Sequence, residues 1–171
     1  TNLFVNKKFE NYNVVSVFNT TDKKCEYTLD FENELELDGE KYHIYDFWND
    51  KYLGTASGKI SLSLNACETR LLSVRPKKDI PQIISTNRHI TQGAQEIEDM
   101  RFEENTLFVR ANLVKNDEYK IAVYVPDIYR VSDCGALKAE NDKKYGNVKY
   151  FRFVPDKTDC YEFKIKFEVE L

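Results

Sequence analysis

The chain has 171 residues, of which 42% are hydrophobic and 32% are charged, with a formal net charge of −4. This length allows one large domain or two small ones, and the apolar fraction suffices for a core, so disorder is not expected. The mildly acidic balance argues against nucleic acid as a partner, because nucleic acid favours clustered Lys and Arg. The basic runs are isolated doublets typical of solvated turns: Lys7-Lys8, Lys23-Lys24, Lys77-Lys78 and Lys143-Lys144.

The sequence predicts neither a membrane span nor a bound cofactor. No apolar run approaches the roughly 20 residues that a membrane-spanning helix needs. Phosphate-cradling glycine loops are absent, since the glycines occur singly. The chain begins at Thr1, within a strand-like segment and without an initiator Met. We therefore expect a fragment of a longer protein, with a processed mature form as the alternative.

The cysteines and histidines do not form a metal-ligand pattern. No C-x-x-C is present, and neither His43 nor His89 lies near a cysteine, so no metal site is predicted. A disulfide between two cysteines of the second half is one alternative. Four free thiols are the favoured alternative. The sequence is compatible with both a reducing and an oxidising compartment. The residues concerned are Cys25, Cys67, Cys134 and Cys160.

The first half shows strand patterns about every ten residues, with turn residues between them. Buried-looking or alternating segments cover residues 14–18, 26–31, 42–48, 59–64 and 69–74. Asp38-Gly39 is a turn dipeptide leading into the third of these. Ile60, Leu62 and Leu64 are predicted to share one face, because side chains on a strand alternate with a period of two.

Two prolines and three charged residues between Pro76 and Pro81 interrupt the pattern. Such a stretch is typical of a rigid connection, because proline cannot continue a strand ladder. The predicted organisation is a first β-sandwich domain at residues 1–76, a Pro-rich boundary at 77–81, and a second β-sandwich-like domain at 82–171.

The second half repeats the strand theme. Strands are predicted at 106–110, 118–125, 147–154 and 161–171, and the ambiguous segment Ala94 to Phe102 is interpreted as a strand rather than a helix. The last segment alternates most clearly, which predicts a sheet with one wet face. No alternation of strands and long helices appears, so the predicted fold class is all-β, with two antiparallel β-sandwich-like units.

An aromatic and polar cluster is the one candidate binding site. A sugar ring stacks its C–H face on a flat aromatic side chain, while its hydroxyls bond to neighbouring amides and carboxylates. We therefore predict a carbohydrate-binding site at a turn, with the alternative that Phe47 or the neighbouring indole fills the sandwich core instead. The predicted carbohydrate-binding residues are Trp48, Asn49, Asp50 and Tyr52.

No catalytic residue is predicted. Glycoside hydrolysis needs two carboxyl groups roughly 5–10 Å apart, and two sets of acids are close in sequence: Asp46 with Asp50, and Glu96 with Glu98 and Asp99. With 29 acidic residues in the chain, such neighbours arise by chance, so surface acids are the favoured interpretation. A nucleophile with a nearby histidine base is not indicated either.

Three segments resemble the region downstream of the catalytic barrel in bacterial alpha-galactosidase-type (melibiase-like) glycoside hydrolases. They are VVSVFNTTD with YTLD after it, YDFWNDKYLG, and LLSVRP followed by PQIISTNRHITQG, which together cover most of residues 14–102. The resemblance implies an antiparallel β domain packed on a catalytic barrel of the same polypeptide. The barrel carries that family's catalytic aspartates, so none of them maps onto this chain.

The predicted function is therefore a non-catalytic C-terminal accessory region of a glycoside hydrolase, which supports the barrel and assists binding of an oligo- or polysaccharide. Two alternatives stay open: an independent carbohydrate-binding module, and an Ig-like surface or adhesion domain with a protein partner. The chain is not predicted to be an enzyme by itself. A bacterial cytoplasmic location and a periplasmic or secreted one are both compatible with the sequence.

Overall fold

The computed structural model describes residues 1–38 and 41–170. It divides the chain into two compact units, the first from Thr1 to Lys77 and the second beginning at Lys78. Strands dominate both units and every sheet is antiparallel, which confirms the predicted all-β class with two sandwich-like units. The domain division at 77–81 stays a prediction. In the predicted Asp38-Gly39 turn, Gly39 lies outside the described residues.

The first unit contains a five-stranded sheet in the order β1-β2-β7-β4-β5 and a two-stranded sheet of β3 and β6. A short helix, α1, lies between β3 and β4 in the chain. The bounds are β1 Asn2–Asn6, β2 Asn11–Phe18, β3 Cys25–Asp30, α1 Phe31–Leu35, β4 Lys41–Asp46, β5 Lys51–Ser57, β6 Lys59–Leu64 and β7 Thr69–Pro76.

The core of the first unit forms where one face of the large sheet meets β3, β6 and α1. Alternation along the strands directs apolar side chains to this face. Within the two-stranded sheet, Leu62 and Leu64 are buried while Ser61 and Ser63 are exposed, in agreement with the predicted alternation. The buried cluster consists of Val15, Val17, Leu29, Phe31, Leu35, Tyr42, Ile44, Leu62, Leu64, Leu72 and Val74.

Two predicted strands in the first unit extend too far. The segment 26–31 is a strand only to Asp30, whose side chain accepts a hydrogen bond of 3.0 Å from the backbone N–H of Asn33 and so caps α1. The segment 42–48 is a strand only to Asp46, because the chain then turns. In both places an aspartate side chain captures backbone donors that a strand ladder would otherwise use.

The second unit contains two four-stranded sheets, in the orders β12-β15-β10-β9 and β13-β14-β11-β8. The predicted strand within 94–102 is confirmed from Ile97 onward. Four strands were not predicted: β5, β8, β12 and β13. The bounds are β8 Gln82–Thr86, β9 Ile97–Glu103, β10 Thr106–Leu113, β11 Tyr119–Tyr124, β12 Tyr129–Asp133, β13 Lys138–Asn141, β14 Val148–Phe153 and β15 Asp159–Val169.

The two sheets of the second unit pack face to face around aromatic and aliphatic side chains. Phe163 and Ile165 of β15 are buried and alternate with exposed Glu162 and Lys164, as the sequence predicts. Tyr119 of β11 stacks on Phe163 with ring centroids 6.3 Å apart, which joins one sheet to the other. Strands β15 and β10 therefore each have one buried face and one solvent-exposed face.

The hairpin between β9 and β10 contains strain that a substitution can relieve. Its two central residues, Glu104 and Asn105, have φ of 47° and 56°, as in a type I′ turn. Glutamate is disfavoured in this left-handed region, whereas asparagine tolerates it. We expect Glu104→Asn to raise the free energy of unfolding by about 0.5–1 kcal/mol, measured by urea denaturation.

The control is Glu103→Asn, which removes the same charge one residue earlier, at the end of β9, together with an exposed ion pair to Arg101. Its backbone is already extended, so asparagine relieves nothing there and we expect no gain in stability. If both variants gained the same free energy of unfolding, the cause would be the removal of charge. That result would contradict the explanation from backbone strain.

Candidate functional site

The turn between β4 and β5, residues 47–50, is held by Asp46, which is fully buried. Asp46 accepts hydrogen bonds from the backbone N–H of Asn49 at 3.3 Å and from its side-chain Nδ2 at 2.9 Å. The N–H of Phe47 donates to the carbonyl of Leu71 at 2.8 Å. These bonds fix the backbone of the turn, which we call the Trp48 turn.

A salt bridge reinforces this turn from the neighbouring strand. Arg70 of β7 places Nη1 2.6 Å from Asp46 Oδ2 and Nε 2.5 Å from Glu68 Oε1. Partial burial lowers the pKa of Arg70, but the hydrogen bond and charge of Asp46, followed by those of Glu68, outweigh it and raise the pKa overall. The guanidinium therefore stays charged and keeps the buried carboxylate compensated.

Trp48 projects from this turn into solvent. Its side chain is 58% exposed, which contradicts the alternative that the indole fills the core. Phe47 is half-buried and meets the indole edge-on, with ring centroids 4.9 Å apart and an interplanar angle of 76°. The indole is thus a supported aromatic surface on an anchored turn, the kind of group that binding sites use at low entropic cost.

The other predicted site residues divide between surface and interior. Asn49 and Asp50 are exposed beside Trp48, and Asp50 accepts a 2.8 Å hydrogen bond from the hydroxyl of Tyr45. Tyr52 is buried, with 3% of its surface exposed, and its hydroxyl lies 2.7 Å from Nδ1 of His43. Tyr52 offers no ring face to a ligand, so the structure brings together only three of the four predicted residues.

The acidic residues that lie close together in the sequence are held by other groups in the structure. Asp46 is engaged with Arg70, while Glu96 is buried and accepts a hydrogen bond from Thr86. Glu98 is exposed, and the hydrogen bond from Asn112 lowers its pKa. A general acid for glycoside hydrolysis needs a raised pKa, so the environment of Glu98 acts in the opposite direction.

A groove in the first unit was not predicted from the sequence. It encloses about 550 Å³ between the end of β2, strand β3 and helix α1. Tyr27 on one wall donates a hydrogen bond to Glu34 of α1, and burial, followed by that bond, raises the pKa of Tyr27 to about 12. Phe18 and the carboxylates of Glu26 and Glu34 also line it. The lining residues come mainly from consecutive elements, and the groove forms only where these elements pack together, which no local motif indicated.

Metal-ligating and thiol groups are dispersed. Across residues 1–38 and 41–170, no group of three or more His, Cys, Asp or Glu side chains is arranged to hold a metal ion. The four cysteines are free thiols, with Cys25 and Cys134 partly buried and Cys67 and Cys160 exposed. Among the described helices, none is long and apolar enough to cross a membrane.

Taken by itself, the first unit is an antiparallel β-sandwich domain. Residues 6–74, nearly the whole of this unit, match the family model of the alpha galactosidase C-terminal beta sandwich domain. The match confirms the resemblance in the first two segments and in LLSVRP up to Val74. The later segment, residues 81–93, lies beyond it. A search of curated proteins finds no match to the chain.

Proposed function

We propose that this chain is a non-catalytic accessory region of an alpha-galactosidase-type glycoside hydrolase, and that it stabilises a catalytic barrel in the same polypeptide. The family match over residues 6–74 carries the proposal, because it covers nearly the whole first unit. The carboxyl environments support the non-catalytic role, since Asp46 is ion-paired with Arg70 and the pKa of Glu98 is lowered. The barrel supplies the nucleophile and the acid.

Two measurements test this proposal. The 171-residue chain should show no turnover of aryl α-galactosides, whereas the longer polypeptide that contains it should cleave them. Deleting this region from the longer polypeptide should lower the thermal midpoint of the barrel. Clear turnover by the 171-residue chain would contradict the non-catalytic role. An unchanged midpoint after deletion would contradict the stabilising role.

Carbohydrate binding through the Trp48 turn is the second part of the proposal. The observation that favours it is an exposed indole supported by Phe47, with exposed Asn49 and Asp50 beside it. The ring supplies a flat apolar face, and the polar neighbours supply hydrogen-bonding groups for hydroxyls. This observation also favours the alternative of an independent carbohydrate-binding module. The Ig-like adhesion alternative stays a prediction, as do the absence of nucleic-acid binding and the location.

We expect Trp48→Ala to weaken binding of α-galactosides by about tenfold, the equivalent of about 1.4 kcal/mol for one lost aromatic contact. Titration calorimetry with melibiose and galactomannan measures the affinity of both forms. Trp48 is the only tryptophan of the chain, so its fluorescence in the wild type reports on this turn alone. Sugar binding should change that emission.

The control is Phe18→Ala, which removes an aromatic ring of similar exposure, 56% against 58%, from a different part of the same unit. We expect it to leave the affinity unchanged. Absence of binding by the wild type, or equal affinity for Trp48→Ala, would exclude the Trp48 turn as a sugar site without affecting the proposed support of the barrel.

A further inference from the structure

Strand β1 is an edge strand with an open hydrogen-bonding side. Among the described strands it pairs only with β2, in the register Asn2 to Val15, Leu3 to Val14 and Phe4 to Asn13. At the start of this ladder, the N–H of Ser16 donates to the carbonyl of Thr1 at 2.8 Å, and Thr1 donates back at 3.0 Å. Bonded pairs alternate along an antiparallel ladder. The N–H and C=O groups of Asn2, Phe4 and Asn6 therefore point away from β2.

This edge lacks the protection that the other edges have. Natural proteins place charged side chains on edge strands or cover them, because an open edge invites pairing with another chain. Most of the other edge strands of the described sheets carry at least one charged residue: β3, β5, β6, β9, β12 and β13. The remaining edge strand, β8, has no charged residue but is buried along its length. Strand β1 reads NLFVN, with Leu3 49% and Phe4 57% exposed.

We propose that β1 pairs with β1 of a second copy of this chain, antiparallel, about a two-fold axis through Phe4. The sequence NLFVN is self-complementary in this register. Phe4 lies opposite Phe4 of the second copy, Leu3 lies opposite Val5, and Asn2 lies opposite Asn6. Apolar side chains thus meet apolar ones and amides meet amides, as a two-fold interface requires.

The number of backbone hydrogen bonds favours the same register. A two-fold axis at Phe4 requires the groups of residues 2, 4 and 6 to point to the new partner, and these are the groups that point away from β2. The pairing forms about six hydrogen bonds, two for each of three residue pairs. An axis at Leu3 or Val5 would form only two bonded residue pairs within β1, about four hydrogen bonds, and would place Phe4 opposite an asparagine. The self-complementarity therefore favours a second copy over an unrelated peptide.

Sedimentation equilibrium of the 171-residue chain tests the pairing. We expect a concentration-dependent equilibrium between monomer and dimer. Phe4→Lys places like charges opposite each other at the axis and should weaken dimerisation at least tenfold. The control Phe18→Lys adds the same charge at an equally exposed phenylalanine outside β1 and should leave dimerisation unchanged. Circular dichroism checks that both variants remain folded.

Cross-linking tests the register itself. In a background of Cys67→Ser and Cys160→Ser, which removes the exposed thiols, Phe4→Cys should form an intermolecular disulfide under mild oxidation. Residues directly opposite each other in a bonded pair have Cα atoms about 5.5 Å apart, within disulfide range. Leu3→Cys should link poorly, because its counterpart lies diagonally at about 7–8 Å.

A wild-type chain that stays monomeric at all concentrations would overturn the proposal. A large open-ended assembly, or preferential cross-linking of Leu3→Cys, would overturn the two-fold register. The proposal is independent of the proposed function, because neither turnover nor sugar binding enters these measurements.

Discussion

Replacing Glu10 by alanine is expected to remove about 3–5 kcal/mol from the free energy of unfolding of the first unit. Glu10 forms a salt bridge with Nη1 of Arg75, and both side chains are buried. The guanidinium lies over the ring of Tyr12 at 3.5 Å, and its Nε donates to Ser73 Oγ at 3.0 Å. Removing the carboxylate leaves the buried charge of Arg75 without this compensation, which is more costly than losing an exposed pair.

Urea denaturation monitored by Trp48 fluorescence measures this loss, because the only tryptophan lies in the first unit. The control is Asp99→Ala, monitored by circular dichroism, which breaks an exposed pair with Arg101 at 3.0 Å and should change stability by less than about 1 kcal/mol. The double variant Glu10→Met with Arg75→Met removes both charges and should recover much of the loss. A loss below about 1 kcal/mol for Glu10→Ala would show that the pair contributes little.

The sequence predicts most of the sheet framework because strand alternation is a local signal. In β6 and β15 most apolar residues of one parity are buried or partly buried, and the polar residues of the other parity are exposed, as expected. The same signal fails for β13, where all four residues are exposed, and for β8, where all five are buried. Without a contrast between two faces, no alternation is left to detect.

Non-local contacts could not be predicted from the sequence. Glu10 and Arg75 are 65 positions apart, and nothing near either residue indicates the other. Strand alternation places Arg75 on the same face as Ser73 and Leu71, but it does not show that this face is buried. The ion pair depends on the order of strands in the sheet, which single-strand patterns do not encode.

The candidate site shows the same division between local and non-local information. Trp48, Asn49 and Asp50 are adjacent in sequence and form one turn, so their proximity was predictable. Tyr52 follows two residues later, but a β-bulge between β4 and β5 pairs it with Tyr45, while Ile44 pairs with Gly54. The tyrosine therefore lies in the buried part of the sheet. A bulge shifts the register without a reliable sequence signal.

Phe31→Ala is expected to lower the free energy of unfolding of the first unit by about 3–5 kcal/mol. Phe31 is fully buried and meets the ring of Tyr42 edge-on, with centroids 5.7 Å apart. It is the first residue of α1, and the carbonyl of Phe31 accepts a 2.9 Å hydrogen bond from Leu37. Removing the ring creates a cavity at the junction of helix and strand, where a five-residue helix has little stability of its own.

The comparison with Phe18→Ala isolates burial as the cause, because both substitutions remove the same ring from the same unit. Phe18 is 56% exposed, so its loss should change stability by less than about 0.5 kcal/mol. Both transitions are measured by Trp48 fluorescence in urea. Similar losses of stability for the two variants would mean that β3 and α1 do not unfold cooperatively with the large sheet. Trp48 fluorescence detects the cavity at Phe31 only if both parts unfold in one transition.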